Sequence, residues 1–280
     1  MAKGGSKALW AGVAVVIAAG AIALAQRSDA DPEELEVETV TPTAAPAVTV
    51  PEALEVVVVS RHAHDRRAFT QGLLYYDGHL YESTGLEGRS SLRKVDLATG
   101  EVLLQHDLEP NYFAEGLARV DGRLFQLTWQ DGVAFEYDLR TFEAIREHRY
   151  DGEGWGLCYD GEHLVMSDGS AHLTFRRPSD FSVVRRVEVT KVDRPLRNLN
   201  ELECARGAVF ANVWQRNEIV RIDPSSGQVT ASIQARGLLE GAERYGADVL
   251  NGIAYLPEAE RFLITGKLWP AAFEVRFDAR

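Results

Sequence analysis

Gln71, Glu115, Trp155, Asn200 and Asn251 share one recurring position in a chain of 280 residues, each standing immediately before a repeated glycine or its equivalent. Four of the five side chains hydrogen bond through an amide or a carboxyl group, and Glu115 is the one acid among them. One hairpin later a second recurring position holds Gly85, Trp129, Gly169, Trp214 and, after a small insertion, Lys267. Two indoles and one ammonium beside glycine gaps describe an aromatic-walled slot for a small polar group. Phe69 and Phe113, two residues before Gln71 and Glu115, point the same way along their strands and extend the wall. The blander readings are a polar plug satisfied by channel water and tryptophans packed between neighbouring sheets.

The elements that must position these residues follow from the phrase around them. Phe69-Thr70-Gln71-Gly72-Leu73, Phe113-Ala114-Glu115-Gly116-Leu117, Gly154-Trp155-Gly156-Leu157, Leu199-Asn200-Glu201-Leu202 and Leu250-Asn251-Gly252-Ile253 are five copies of one motif. Each leads into a turn, and Asp77-Gly78, Asp121-Gly122 and Asp160-Gly161 have the residue types that tolerate positive φ in tight hairpins. Strand-length apolar runs follow, such as His79–Thr84 and Arg123–Thr128, then third and fourth strands in most copies. Four short antiparallel strands per copy, with a period of roughly 40–50 residues, predict an all-β, five-bladed β-propeller over 54–280. The last copy lacks an outermost strand, and Glu55–Ser60 upstream of the first copy can supply it. Closing the ring in this way removes exposed sheet edges.

Composition narrows the partners. With 30 Lys and Arg against 42 Asp and Glu, the net charge of −12 leaves no basic stripe for a nucleic-acid backbone. Lys3 and Lys7 precede an apolar run over 8–25 that ends in Ala23-Leu24-Ala25, so 1–25 reads as a cleaved signal peptide or a retained membrane anchor. Residues 26–53, rich in Pro, Thr, Ala and acids, read as a flexible linker. An exported chain permits a disulfide between the two cysteines, Cys158 and Cys204, but their offset by one residue within the repeat leaves two buried free thiols equally open. The seven histidines form no zinc pattern, and neither a nucleotide loop nor a Gly-x-Ser-x-Gly elbow is present in the sequence.

Taken in order, the five phrases together with Glu82-Ser83-Thr84-Gly85-Leu86, Leu127-Thr128-Trp129, Ser167-Asp168-Gly169-Ser170, Ala211-Asn212-Val213-Trp214 and Thr265-Gly266-Lys267-Leu268-Trp269-Pro270 resemble the plant and bacterial type of glutaminyl-peptide cyclotransferase. The resemblance runs from about Val56 to Phe277. It implies a five-bladed propeller that acts as an aminoacyltransferase, converting N-terminal glutamine of peptides or proteins to pyroglutamate with release of ammonia and without zinc. It also implies that Phe69, Gln71, Phe113, Glu115, Trp129, Trp155, Asn200, Trp214 and Lys267 line the pocket, joined by Asn251 from the inner ring. Ala114, where a glycine is expected, and Asn198, where an apolar residue can stand, depart from the pattern.

For that reaction Glu115 is the expected proton carrier, with Gln71, Asn200 and Lys267 as donors to the developing oxyanion and the aromatic residues as substrate walls. No cofactor is required by this chemistry; the resemblance allows a structural calcium on the channel axis, although the chain has no contiguous calcium loop. A monomer is expected, periplasmic or extracellular, either secreted or attached to the membrane through 8–25. Two other functions fit the rings less well: an exported propeller that only binds a ligand or partner, and a calcium-dependent propeller hydrolase or lactonase. The hydrolase needs a carboxylate-rich ring, and this one has a single carboxylate.

Overall fold

The computed structural model describes residues 50–280, so the expected signal or anchor over 1–25 and most of the linker over 26–53 lie outside the described residues. After β1 (Glu52–Ala63), the first blade comprises β2 (Thr70–Tyr76), β3 (His79–Thr84), β4 (Ser91–Asp96) and β5 (Val102–Asp107). The second holds β6 (Ala114–Val120), β7 (Arg123–Thr128), β8 (Val133–Asp138) and β9 (Ala144–Arg149), and the third β10 (Leu157–Tyr159), β11 (Leu164–Met166), β12 (His172–Arg176) and β13 (Val183–Glu188). A small hairpin that the repeat did not foretell, β14 (Thr190–Lys191) with β15 (Arg194–Pro195), precedes the fourth blade. That blade is β16 (Leu199–Ala205), β17 (Ala208–Val213), β18 (Glu218–Ile222) and β19 (Val229–Gln234); the fifth is β20 (Leu250–Leu256), β21 (Arg261–Gly266) and β22 (Ala271–Ala279).

The ring closes as the sequence predicts. β1 pairs antiparallel with β22 from Leu54 opposite Ala279 to Ala63 opposite Ala271, which completes the fifth blade. Its first residues also run parallel to β19, with Glu52–Glu55 opposite Ala231–Gln234, so blades four and five merge into one eight-stranded sheet. Of the three expected Asp-Gly turns, the first has positive φ at both residues, 51° at Asp77 and 77° at Gly78; the second has it at Asp121 alone, and the third lengthens to the four residues between Tyr159 and Leu164.

Blades pack face to face, and the contacts explain the repeated phrase. Leu74, Tyr81 and Leu92 of the first blade meet Leu117, Leu124 and Tyr137 of the second in one buried cluster, and each such side chain contributes on the order of 1.5–3 kcal/mol by leaving water. Toward the axis the inner strands nearly touch. A Cβ placed on Gly72 would lie 2.5 Å from the Leu117 nitrogen, on Gly116 2.4 Å from the Leu157 nitrogen, and on Gly156 2.1 Å from the Asn200 oxygen. Glycine therefore recurs because the next blade's backbone occupies the space of a side chain.

The fourth copy breaks this rule with Glu201. Its carboxylate crosses the channel to accept the backbone N–H groups of Leu73 in the first blade and Ile253 in the fifth, at 3.2 and 2.8 Å. A disulfide joins Cys158 on β10 to Cys204 on β16, with Cα atoms 5.4 Å apart. The one-residue offset, which left the pairing open in the sequence, is what permits it. Face-to-face stacking sets one face of a blade against the opposite face of the next, so thiols at odd relative positions point toward each other.

Candidate active site

The inner ring assembles at the start of the first strand of each blade. Glu115, at the beginning of β6, is 5 % exposed and accepts a hydrogen bond from Gln71 Nε2 at 2.9 Å. Gln71 Oε1 in turn accepts from Asn251 Nδ2 at 3.3 Å, and the same Nδ2 donates to the Thr70 carbonyl at 2.9 Å. Asn251 is buried and holds Gln71 in place through Nδ2, while its Oδ1, like that of Asn200, has no hydrogen-bond partner. Gln71, expected to serve the oxyanion, orients Glu115 through its own amide. Asn200 is buried, and its Oδ1 has no hydrogen-bond partner. Buried polar atoms without partners are rare in folded chains, so this acceptor is ready for a ligand N–H.

The outer wall is a continuous arc of contacts. Lys267, 5 % exposed at the end of β21, places its ammonium 4.7 Å from the centre of the Phe69 ring. Phe69 meets Phe113 edge to face at 6.1 Å, and Phe113 meets Trp129 at 5.7 Å. On the far side Trp155 meets Trp214 edge to face at 5.6 Å. Such pairs add about 0.5–1.5 kcal/mol beyond area burial and fix ring orientation. Gly85 and Gly169 are the gaps that let neighbouring rings in: a Cβ on Gly85 would lie 2.4 Å from the Phe113 ring, and one on Gly169 2.7 Å from the Trp155 indole.

Glu153 joins the two halves of the arc, and the sequence reading missed it. One carboxylate oxygen accepts both the Trp129 and the Trp155 indole N–H at 2.9 Å, and the other accepts Gln130 Nε2 at 3.0 Å. Its signal was available, because Glu153 stands two residues before Trp155, the place that Phe69 and Phe113 take in their own copies. Asn198 occupies that place in the fourth copy. It is exposed with φ of 66°, a left-handed conformation that Asn tolerates, and its carbonyl accepts the Trp214 N–H. Ala114 causes no crowding: its methyl is fully buried and its N–H donates to Ser90 Oγ.

Electrostatics follow from enclosure. Burial pushes the Glu115 carboxyl well above the ordinary glutamate range; the Lys267 charge opposes that rise and the Glu153 charge adds to it. Burial likewise lowers the Lys267 ammonium, against the pull of Glu115 and Asp248. The loop that carries Lys267 is tied to the ring closure. His64 bonds the Trp269 carbonyl at 2.8 Å through Nδ1 and Glu82 at 2.9 Å through Nε2, and Glu82 also accepts from Thr70 beside Gln71.

The described residues offer no cluster of carboxylates for the axial calcium that the resemblance allows. Calcium takes six to eight oxygens, yet both Glu201 oxygens already accept backbone N–H groups. Among the described residues no three His, Cys, Asp or Glu side chains converge on a common point.

A five-bladed propeller whose mouth encloses a buried, hydrogen-bonded carboxyl in an aromatic arc, with a second carboxylate tying the indoles, defines an acid–base pocket on a closed ring. The sequence matches the glutamine cyclotransferase family over residues 33–277, and the chain belongs to that family. A glutaminyl-peptide cyclotransferase of Arabidopsis thaliana is 43% identical over 228 residues, which cover 79% of this chain and 71% of that protein. The crystal structure of Myxococcus xanthus glutaminyl cyclase superposes with a TM-score of 0.75 at 40% identity, covering 82% of this chain and 99% of that one.

Proposed function

We propose that the chain is a glutaminyl-peptide cyclotransferase that closes N-terminal glutamine of peptides or proteins to pyroglutamate. The observation that carries this reading is Glu115: a buried carboxyl, held by Gln71 and raised in pKa, inside an aromatic wall. The neutral α-amine attacks the γ-carboxamide carbon of its own glutamine, and a five-membered ring forms as the carbonyl oxygen takes up negative charge. Ionised Glu115 accepts the proton lost by the attacking nitrogen and returns it to the departing nitrogen, which leaves as ammonia. A carboxyl of raised pKa suits both transfers, because it is a stronger base than an ordinary glutamate and can still return the proton to the departing nitrogen. Lys267 stabilises the oxyanion by charge, and Asn200 Oδ1 accepts an N–H of the bound glutamine. Phe69, Phe113, Trp129, Trp155 and Trp214 exclude water and hold the side chain curled toward its amine.

We also infer that the protein works outside the cytoplasm as a monomer and without a cofactor in the chemical step. The Cys158–Cys204 disulfide supports an oxidising compartment. Whether 8–25 is cleaved or anchors the chain is decided by N-terminal sequencing of the mature protein and by membrane fractionation.

The test of the activity is direct. The propeller is incubated with a peptide that begins with glutamine and with a control whose glutamine is internal, with and without chelator. Mass loss of one ammonia from the first peptide alone is expected in both conditions. No release above the spontaneous rate would remove the assignment.

A further inference from the structure

A cavity of about 340 Å³ opens on the same mouth of the propeller, between the fourth and fifth blades. Its walls are Leu238, Leu239 and Trp269, and Asn217, Arg244 and Asp248 lend it polar groups. We infer that this cavity is the subsite for the residue that follows the N-terminal glutamine, and that it takes an apolar or aromatic side chain there. The inference rests on the cyclotransferase reading and names which substrates that site prefers.

Three observations carry it. First, the cavity lies between the loops that hold two members of the outer arc. Asn217 closes the turn that begins at Trp214, in which Arg216 N–H bonds the Val213 carbonyl. On the other side, Asp248 N–H donates to the Lys267 carbonyl and Trp269 Nε1 to the Asp248 carbonyl. A peptide whose first residue sits between Trp214 and Lys267 continues outward along this seam. Second, the volume matches a ligand cleft, which is typically about 300 Å³ or more, and the wall mixes polar groups with the half-buried Leu238 beside Leu239 and Trp269. Third, the polar groups are not consumed by ion pairs: Arg244 donates Nε to the Leu239 carbonyl, and Asp248 accepts only the neighbouring Val249 N–H. They remain free to meet the peptide bond after the glutamine. A second cavity on this mouth is lined by Asp168, His172, Thr174, Arg186 and Glu188 on the third blade, with no aliphatic or aromatic hydrocarbon residue in its wall.

The experiment compares kcat and KM of the wild-type propeller on Gln-Gly, Gln-Leu and Gln-Phe peptides of equal length. Leu238→Glu puts a charge in the wall at a half-buried site, and Asn217→Trp fills the cavity from an exposed site, so one of them survives if the other misfolds. Both should raise KM for the Leu and Phe peptides about tenfold, with KM for Gln-Gly and kcat for all three within twofold; His172→Ala should change none of them. Equal effects on all three peptides, or none, overturn the subsite. If the wild type releases ammonia from no peptide, the cyclotransferase reading itself falls and the subsite falls with it, an outcome distinct from uniform activity that ignores the second residue.

Discussion

Glu115→Gln separates catalysis from folding more sharply than any other change in this pocket. The two side chains are nearly isosteric, and an amide oxygen at position 115 can still accept from Gln71 Nε2, now at 2.9 Å from the carboxylate. What disappears is the transferable proton. General acid–base catalysis contributes about 10² to 10⁴ in rate, so the variant should lose about 3–5 kcal/mol of transition-state stabilisation. Stability should move the other way. The folded Glu115 carboxyl titrates above its unfolded value because burial disfavours its charge. At pH 4 both states hold the proton and there is no cost; as pH rises, the unfolded chain releases its proton first and the native state is progressively penalised. Glutamine cannot ionise, so the variant should melt with the wild type near pH 4 and at or above it near pH 8. The measurements are ammonia release from a Gln-initiated peptide and thermal unfolding at both pH values. More than a tenth of wild-type kcat, or a Tm several degrees lower at pH 8, would refute the reasoning: the first denies the proton-carrier role, and the second means that the ionised carboxylate stabilises the fold.

The arc and the channel yield further expectations. Glu153→Ala frees both indoles from a charged acceptor, and since such bonds contribute about 1.5–3 kcal/mol when enclosed and less when partly exposed, kcat/KM should fall about tenfold. Glu153→Gln keeps an acceptor but removes the charge that lifts Glu115, so the acidic limb of the pH profile should shift to lower pH with a smaller loss of rate; an unmoved limb counts against the coupling. Gly85→Ala puts a methyl 2.4 Å from the Phe113 ring, and displacing that ring should cost about 1–3 kcal/mol of binding, read as a higher KM with the Tm little changed. Glu203, pushed up to about 8 by burial, should leave the folded chain less stable as pH climbs from about 4.5 through 8; Glu203→Gln should raise the Tm at pH 9 and not at pH 4, as followed by circular dichroism.

The blades and the ring closure were legible because each rests on a local, repeated physical need. Glycine at 72, 116 and 156 answers the next blade's backbone, and Asp77-Gly78 answers a turn with positive φ. Glu115, Lys267 and the aromatic residues stand out in the aligned copies because they differ from one blade to the next, and the structure gathers them at one mouth. The remainder depended on relations between copies. Glu153 is not legible in the repeat because the shared motif of the third copy begins only at Gly154, although its offset from Trp155 equals that of Phe113 from Glu115. The disulfide stayed open because strand alternation applies within one sheet, whereas Cys158 and Cys204 belong to facing surfaces of two. Gln71 and Asn251 looked like independent ligands of the substrate, and only the structure shows them in series behind Glu115.

The chemistry collects at one mouth for a reason built into the blade. At the far end each first strand turns back through a hairpin of two to four residues, and closure there constrains the residue types. At the near end the first strand begins and the second strand ends, so both recurring positions of every blade meet without a turn to satisfy. Five such pairs converge around one axis, and each can differ without loss of the ring. Blade two supplies the acid and an indole, blade one the amide that orients the acid, blade five the ammonium, and blade three the carboxylate that fixes both indoles. These groups sit at strand ends or, like Glu153, Trp155 and Lys267, in the short segments beside them, which the closed ring anchors, so a change in any one acts first through side-chain contact. Glu153→Ala and Gly85→Ala should therefore alter catalysis while the amide-exchange protection of β6 and β10 stays as it is; loss of protection in either strand would mean that the arc is part of the blade's own packing.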